Sequence, residues 1–199
     1  MKTLPLFASY VSTIELNHNI KELKNFNEDF GESGNEGSCS ISKDKRVLEK
    51  YPETKKLLLD TFKKIAKEEF EYKEDFIITT SWFTKTEKTQ DSNLHRHKNS
   101  FYSGVYYFDE YSSNSSPIRF QSPLFSHSDF YLTPNRYNIK NTFNWHIQPS
   151  KNLLVLFPSY LSHSIEKSYE DATRYSLAFN IVPIGEYGDG DSLYNTSWT

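Results

Sequence analysis

HRHKNSFYSGVYYF, residues 95–108, decides the fold of this 199-residue chain. Its second half, Phe101–Phe108, is rich in aromatic residues and contains Val105, which is typical of a buried strand. Its first half places His95 and His97 two residues apart. In extended backbone such residues point to the same side. We therefore expect a β-sheet protein that presents two imidazoles together at the beginning of one strand.

The rest of the chain divides into helical and strand-forming parts. Further strands are predicted at residues 76–83, 118–121, 130–132, 153–157 and 174–182. Before them, Ile14–Phe30 and a segment that begins at Pro52 have apolar residues at helical spacing. Helices followed by many short strands favour a mainly β protein, a β-sandwich or jelly roll with helices on its outer face. We predict one domain over residues 1–199, with helical support at 1–75, a β core at 76–183 and a polar tail at 184–199.

Composition limits the partners and the compartment. The net charge is −3 and the pI is near 6.1, so nothing indicates a nucleic-acid-binding protein. A single cysteine, Cys39, rules out an internal disulfide and fits a reducing compartment. No run approaches the roughly 20 apolar residues of a membrane span. We expect a cytoplasmic protein without a nucleic-acid or membrane partner.

A third histidine and an arginine extend the candidate site. His163 follows the predicted strand at 153–157, and Arg174 and Ser176 share one face of the strand at 174–182. Three imidazoles can bind iron, zinc, copper or nickel. A guanidinium with a hydroxyl beside it suits a carboxylate, and Tyr106 is a candidate for one more hydrogen bond. The other histidines, His18, His127 and His146, lack ligand spacing and are assigned no role.

These segments resemble a known family. Residues 95–107, 157–163 and 174–180 are similar to 2-oxoglutarate/Fe(II)-dependent oxygenases, many of them encoded by marine bacteria and their phages. The resemblance covers roughly residues 76–183 and implies a double-stranded β-helix, a form of jelly roll, with Fe(II) and 2-oxoglutarate at one mouth. It further implies that His95 and His163 bind the metal, and that Arg174 and Ser176 bind the far carboxylate of 2-oxoglutarate.

One position departs from that family. Its carboxylate ligand falls at His97, so this chain would offer three neutral imidazoles, an arrangement also known for zinc. Either His97 replaces the carboxylate, or a carboxylate such as Asp91 or Glu87 reaches the metal. We favour His97 because it has the two-residue spacing from His95.

Two other functions fit the same residues. A cupin-like dioxygenase could use three histidines without 2-oxoglutarate, with Arg174 binding the substrate's own carboxylate. A non-catalytic jelly-roll binding module would carry the histidines without a metal. The loops at 84–94 and 109–145 are expected to line the mouth and are polar enough for a small-molecule or peptide substrate. Edge strands permit a homodimer.

Overall fold

The protein is described by a computed structural model that covers residues 2–4, 6–16, 20–33, 37–124, 130 and 132–196. Within these ranges the chain forms strands, one α-helix and short 3-10 helices. The α-helix, α1, is Pro52–Glu68, and the 3-10 helices are Lys21–Asn25, Val47–Lys50 and Gly190–Ser192.

The strands form two antiparallel sheets. In spatial order, the larger sheet contains β1 (Ser12–Glu15), β8 (Leu153–Pro158), β5 (Tyr102–Tyr107), β10 (Arg174–Tyr187), β4 (Asp75–Thr86), β3 (Ser40–Ser42) and β2 (Phe30–Glu32), and β11 (Tyr194–Thr196) pairs with the end of β10. The smaller sheet contains β7 (Asn144–Ile147), β6 (Ile118–Gln121) and β9 (His163–Ile165). The order interleaves distant parts of the chain, as a double-stranded β-helix requires.

Helix α1 covers the outer face of the larger sheet. Pro52 occupies its first turn, where a missing N–H costs nothing. Leu58, Phe62 and Ala66 follow at four-residue spacing and are buried. The Phe62 ring packs against Phe76, with centroids 5.0 Å apart. The predicted helix beginning at Pro52 is confirmed.

The larger sheet separates two apolar cores. On its helix side, Leu177, Phe179 and Ile181 of β10 are fully buried. On its other side, Ala178 packs in a cluster with Phe120 of the smaller sheet. The two sheets therefore enclose an inner space while α1 seals the outside. The predicted jelly roll with an outer helix is confirmed.

The predicted helix over Ile14–Phe30 is wrong. The described part of this segment contains β1, the 3-10 helix Lys21–Asn25 and β2. Ser12–Glu15 pairs with Leu153–Leu156, and this ladder supplies the backbone hydrogen bonds that a helix would have made internally. Leu23 is still buried, so the apolar spacing marked core contacts rather than a helix.

The strand predicted at residues 130–132 is absent from its described residues, because Phe130 and Leu132 are exposed and outside any strand. Within the polar tail predicted at 184–199, β10 continues to Tyr187 and β11 (Tyr194–Thr196) pairs back along it. In the ranges that the structure describes, no helix is both long enough and apolar enough to cross a membrane.

Candidate active site

The structure brings His95, His97 and His163 together. One potential ligand atom from each lies within 4.8 Å of the others. His163 begins β9, and its N–H donates to the carbonyl of His95 at 2.8 Å. The His95 N–H returns a bond of 2.9 Å to the His163 carbonyl. His95 and His97 thus lie in an extended segment that one β-bridge, between His95 and His163, joins to the edge of the smaller sheet. They are not part of a longer strand.

Backbone carbonyls orient two of the three imidazoles. His95 Nδ1 lies 2.7 Å from the Asn93 carbonyl, and His163 Nδ1 lies 3.0 Å from the Leu161 carbonyl. A carbonyl only accepts, so each Nδ1 must carry the proton. This leaves the Nε2 lone pair of both rings available, which is the usual arrangement of a metal-binding histidine.

Burial keeps two of the three imidazoles uncharged. It lowers the pKa of His163 to about 3, and the neighbouring His95 and His97 add to the effect. It lowers the pKa of His97 to about 4, again helped by His95. Both rings are therefore neutral at physiological pH, which is the state that binds a metal ion.

Carboxylates do not join this cluster among the described residues. Asp91 accepts a hydrogen bond from Ser38 Oγ at 3.0 Å. Glu87 pairs with Lys85 at 2.8 Å. Of the histidines without an assigned role, His18 and His127 lie outside the described residues. His146 is on the smaller sheet, 3.3 Å from Glu166.

Arg174 is the second unusual feature. It begins β10 and is only 4% exposed. Its Nε, Nη1 and Nη2 atoms are all buried, and none has a hydrogen-bond partner in the described part of the chain. Its guanidinium carbon lies 5.1 Å from the centre of the Tyr107 ring. A buried and unpaired cation is costly, so this position favours an anionic partner from outside the chain.

Hydroxyl groups surround Arg174. Thr86 lies directly opposite it in the β4–β10 ladder and is completely buried. The hydroxyls of Thr86 and Tyr107 also lack partners among the described residues. Burial raises the pKa of the Tyr107 phenol, although Arg174 opposes this, so the group stays a donor. Ser176 is buried two residues further along β10, on the same face.

Tyr106 requires a correction. Its ring belongs to the core on the helix side of the larger sheet, and its hydroxyl donates to Asn152 Oδ1 at 3.2 Å. Because side chains alternate along a strand, Tyr107 rather than Tyr106 faces Arg174. The sequence alone could not show which of these two consecutive tyrosines faces Arg174. Thr86 had no signal of its own, because only the register of β4 against β10 places it in the site.

The site runs along the space between the sheets. At one end, the metal end, His97 packs against Trp82 with ring centroids 5.4 Å apart. Trp82 lies opposite Ala178 in the ladder, and Arg174 is four residues earlier on the same face, or about 13 Å along the strand. Of the predicted mouth loops, residues 84–94 begin at the Arg174 end, where Thr86 pairs with Arg174, and end next to His95. The loop predicted at 109–145 contains β6, whose Phe120 pairs with His163 at the metal end, and its residues 125–129 and 131 lie outside the described residues.

The matched family agrees with this geometry. Residues 80–180 match the model of the family described as "Putative 2OG-Fe(II) oxygenase". The chain belongs to this family. The 2OG-Fe(II) oxygenase uses Fe(II) and 2-oxoglutarate, and both fit the residues of this site. Three imidazoles with two oriented Nε2 atoms suit the metal. The buried Arg174 guanidinium, whose nitrogens have no partner among the described residues, suits a carboxylate of 2-oxoglutarate.

Solved structures share the fold. HygX from Streptomyces hygroscopicus, with nickel, 2-oxoglutarate and hygromycin B bound, is 12% identical with a TM-score of 0.58, over 88% of this chain and 83% of that one. A 2OG-Fe(II) oxygenase family oxidoreductase from Burkholderia pseudomallei is 11% identical with a TM-score of 0.56, over 78% and 72%. The carbocyclase SnoK from nogalamycin biosynthesis is 12% identical with a TM-score of 0.53, over 77% and 67%. No curated protein has a significantly similar sequence.

Proposed function

We propose that this oxygenase hydroxylates a C–H bond of a small molecule or peptide, with His95, His97 and His163 holding Fe(II). Arg174 binds the far carboxylate of 2-oxoglutarate, with Ser176, Thr86 and Tyr107 beside it. The observation that carries the proposal is the buried guanidinium with three unpaired nitrogens, in the same inner space as a three-histidine cluster.

Each residue has a defined task. When bound, Fe(II) and 2-oxoglutarate supply the oxidation, in which dioxygen, the substrate and 2-oxoglutarate become hydroxylated substrate, succinate and CO₂. Arg174 fixes one end of the co-substrate through paired charged hydrogen bonds. The apolar cluster that includes Phe120 and Phe157 keeps bulk water from the space around it.

The test is an anaerobic titration of metal-free protein, first with Fe(II) and then with 2-oxoglutarate. A weak visible charge-transfer band that needs both components is the expected result, because it reports 2-oxoglutarate chelated to the iron. Bound iron without the band, whatever the 2-oxoglutarate concentration, would favour the three-histidine cupin-like dioxygenase. Succinate formation under air separates the same two functions.

We also propose a cytoplasmic location, an origin in a marine bacterium or its phage, and a protein that works without nucleic acid or membrane. The buried, single Cys39 and the net charge of −3 support the first and the last of these. The origin rests on the family resemblance. A homodimer through the edge strands β1 or β2 is compatible with the sheet order.

A further inference from the structure

A cleft of about 710 Å³ opens beside His97 at the metal end. Its walls come from four parts of the chain: Ala8 and Tyr10 before β1, Tyr72, residues 96–102, and Pro158 with Tyr160. Ser9 Oγ and the Tyr160 hydroxyl are hydrogen-bonded at 3.2 Å, which ties two of these walls together. Sites for small organic molecules have this volume. The cleft is therefore large enough for such a molecule, and it adjoins His97 of the histidine cluster.

Aromatic side chains furnish part of the cleft. Tyr72, Phe101 and Tyr160 line it and are 38%, 37% and 54% exposed. Tyr72 packs edge-on to Phe101 with centroids 5.6 Å apart, and Phe101 stacks on Phe76 at 5.9 Å. Packing from behind thus holds rings whose other surfaces remain open. Such surfaces bind rings and apolar C–H groups.

The cleft is also positively charged. Arg96 and Lys98 line it, whereas none of its lining residues is acidic. Neither cation has an ion-pair partner among the residues that the structure describes, whereas Lys50 and Lys55 on the helical side both do. A cationic cleft on a chain with a net charge of −3 favours an anionic ligand over a neutral one.

We propose that the substrate is a small organic anion. Its acidic group pairs with Arg96 and Lys98, while a ring or apolar face packs against Tyr72, Phe101 and Tyr160. This inference rests on the proposed function, because the bond to be hydroxylated then faces the metal past His97. Carboxylate and phosphate share the required chemistry, and the test separates them.

The test measures binding rather than turnover. The protein is loaded with Zn(II) and excess 2-oxoglutarate, which occupy the inner site, and is titrated calorimetrically with benzoate, phenyl phosphate and benzyl alcohol. Fragments of this size bind well-matched sites with a Kd of about 1 mM. We expect that affinity for at least one anion, binding at least about tenfold weaker for the alcohol, and weakening by salt. Whichever anion binds more tightly, benzoate or phenyl phosphate, identifies the acidic group of the substrate as carboxylate or phosphate. Equal binding of the alcohol, or binding of neither anion, would overturn the inference.

Variants locate the binding. Arg96→Gln with Lys98→Gln should weaken anion binding at least about tenfold. Lys56→Gln with Lys64→Gln removes the same charge from the exposed face of α1 and should have no effect. Tyr160→Leu should weaken benzoate but not acetate. Unchanged affinity in the first variant contradicts the inference. If the iron–2-oxoglutarate band forms while the anions fail to bind, only this inference falls. If the anions bind and the band is absent, the proposed function falls and the cleft remains an anion-binding site without a role as the substrate site of this reaction.

Discussion

The surroundings of Arg174 indicate its role more clearly than those of any other site residue. All three of its side-chain nitrogens are buried and lack partners among the described residues. Arg174→Ala should weaken 2-oxoglutarate binding by about 30-fold or more, since losing one side of a buried charge pair costs about 2 kcal/mol or more. Iron content should be largely retained. Titration of the charge-transfer band and metal analysis measure the two effects. Arg174→Lys keeps the positive charge but loses the paired N–H donors of the guanidinium. Its affinity for 2-oxoglutarate should therefore lie between those of the wild type and Arg174→Ala. Equal loss of iron and co-substrate would make Arg174 a structural residue.

Replacing Thr86 should have opposite effects on the stability of the protein and on its affinity for 2-oxoglutarate. Its hydroxyl is buried and unpartnered among the described residues, so Thr86→Val should stabilise the ligand-free protein by about 1 kcal/mol. The same change removes a hydrogen bond to the carboxylate and should weaken 2-oxoglutarate binding about fivefold. Urea denaturation and band titration are the two measurements. A variant that binds 2-oxoglutarate as tightly as the wild type would remove Thr86 from the anion site.

His97 decides whether the metal has two or three imidazole ligands. One of its ring nitrogens lies within 4.8 Å of a ring nitrogen of His95 and of His163, so all three could bind one ion and His97→Ala should lower iron occupancy about tenfold or more. Metal analysis after anaerobic loading and desalting measures this. His146→Ala, on the smaller sheet, is the matched control. Full occupancy in His97→Ala would show that His97 only neighbours the metal.

The site was predictable to the extent that its residues lie close in sequence. Two-residue spacing predicted that His95 and His97 would share one side of the chain, and that Arg174 and Ser176 would share another. In the structure each pair does share a side. Thr86 and Tyr107 could not be chosen this way, because strand register is set by tertiary pairing.

Among the elements, β5 contains Gly104, and any larger residue at this position would force the Phe179 ring to move. A Cβ at Gly104 would lie 2.3 Å from Phe179 Cζ. Gly104→Ala should therefore destabilise the protein by about 1–3 kcal/mol through overpacking, as measured by urea denaturation. Gly31→Ala in β2 is the control, because its Cβ would meet nothing nearer than 3.8 Å. Equal effects in the two variants would mean that loss of glycine, and not the ring contact, is responsible.

Element types were predictable where local pattern and tertiary pairing agree. Helix α1 has Pro52 at its start and one buried face, and both signals are local. Ile14–Phe30 has the same apolar spacing, but β1 finds its partner in β8, more than a hundred residues away. No local pattern reports such a distant partner.

At the scale of the whole molecule, buried neutral histidines make stability depend on pH. In the folded metal-free protein the pKa of His97 is about 4 and that of His163 is about 3, whereas both are near 6.5 when unfolded. Below about pH 6.5 the unfolded chain binds protons that the folded chain does not, so stability falls as the pH drops, and above it these groups add no dependence. Thermal unfolding between about pH 5 and 7 measures the slope. His97→Gln with His163→Gln should flatten it and His146→Gln should not; an unchanged slope in the double variant contradicts the assignment.

The Arg174 end of the inner space is closed, since Arg174, Thr86 and Tyr107 are buried and the Tyr111 hydroxyl donates to the Tyr175 carbonyl behind them. A 2-oxoglutarate molecule bound to Arg174 as proposed would lie deeper in the inner space than a substrate held beside the histidines. We therefore expect 2-oxoglutarate to bind before the substrate, and succinate to leave after the hydroxylated product.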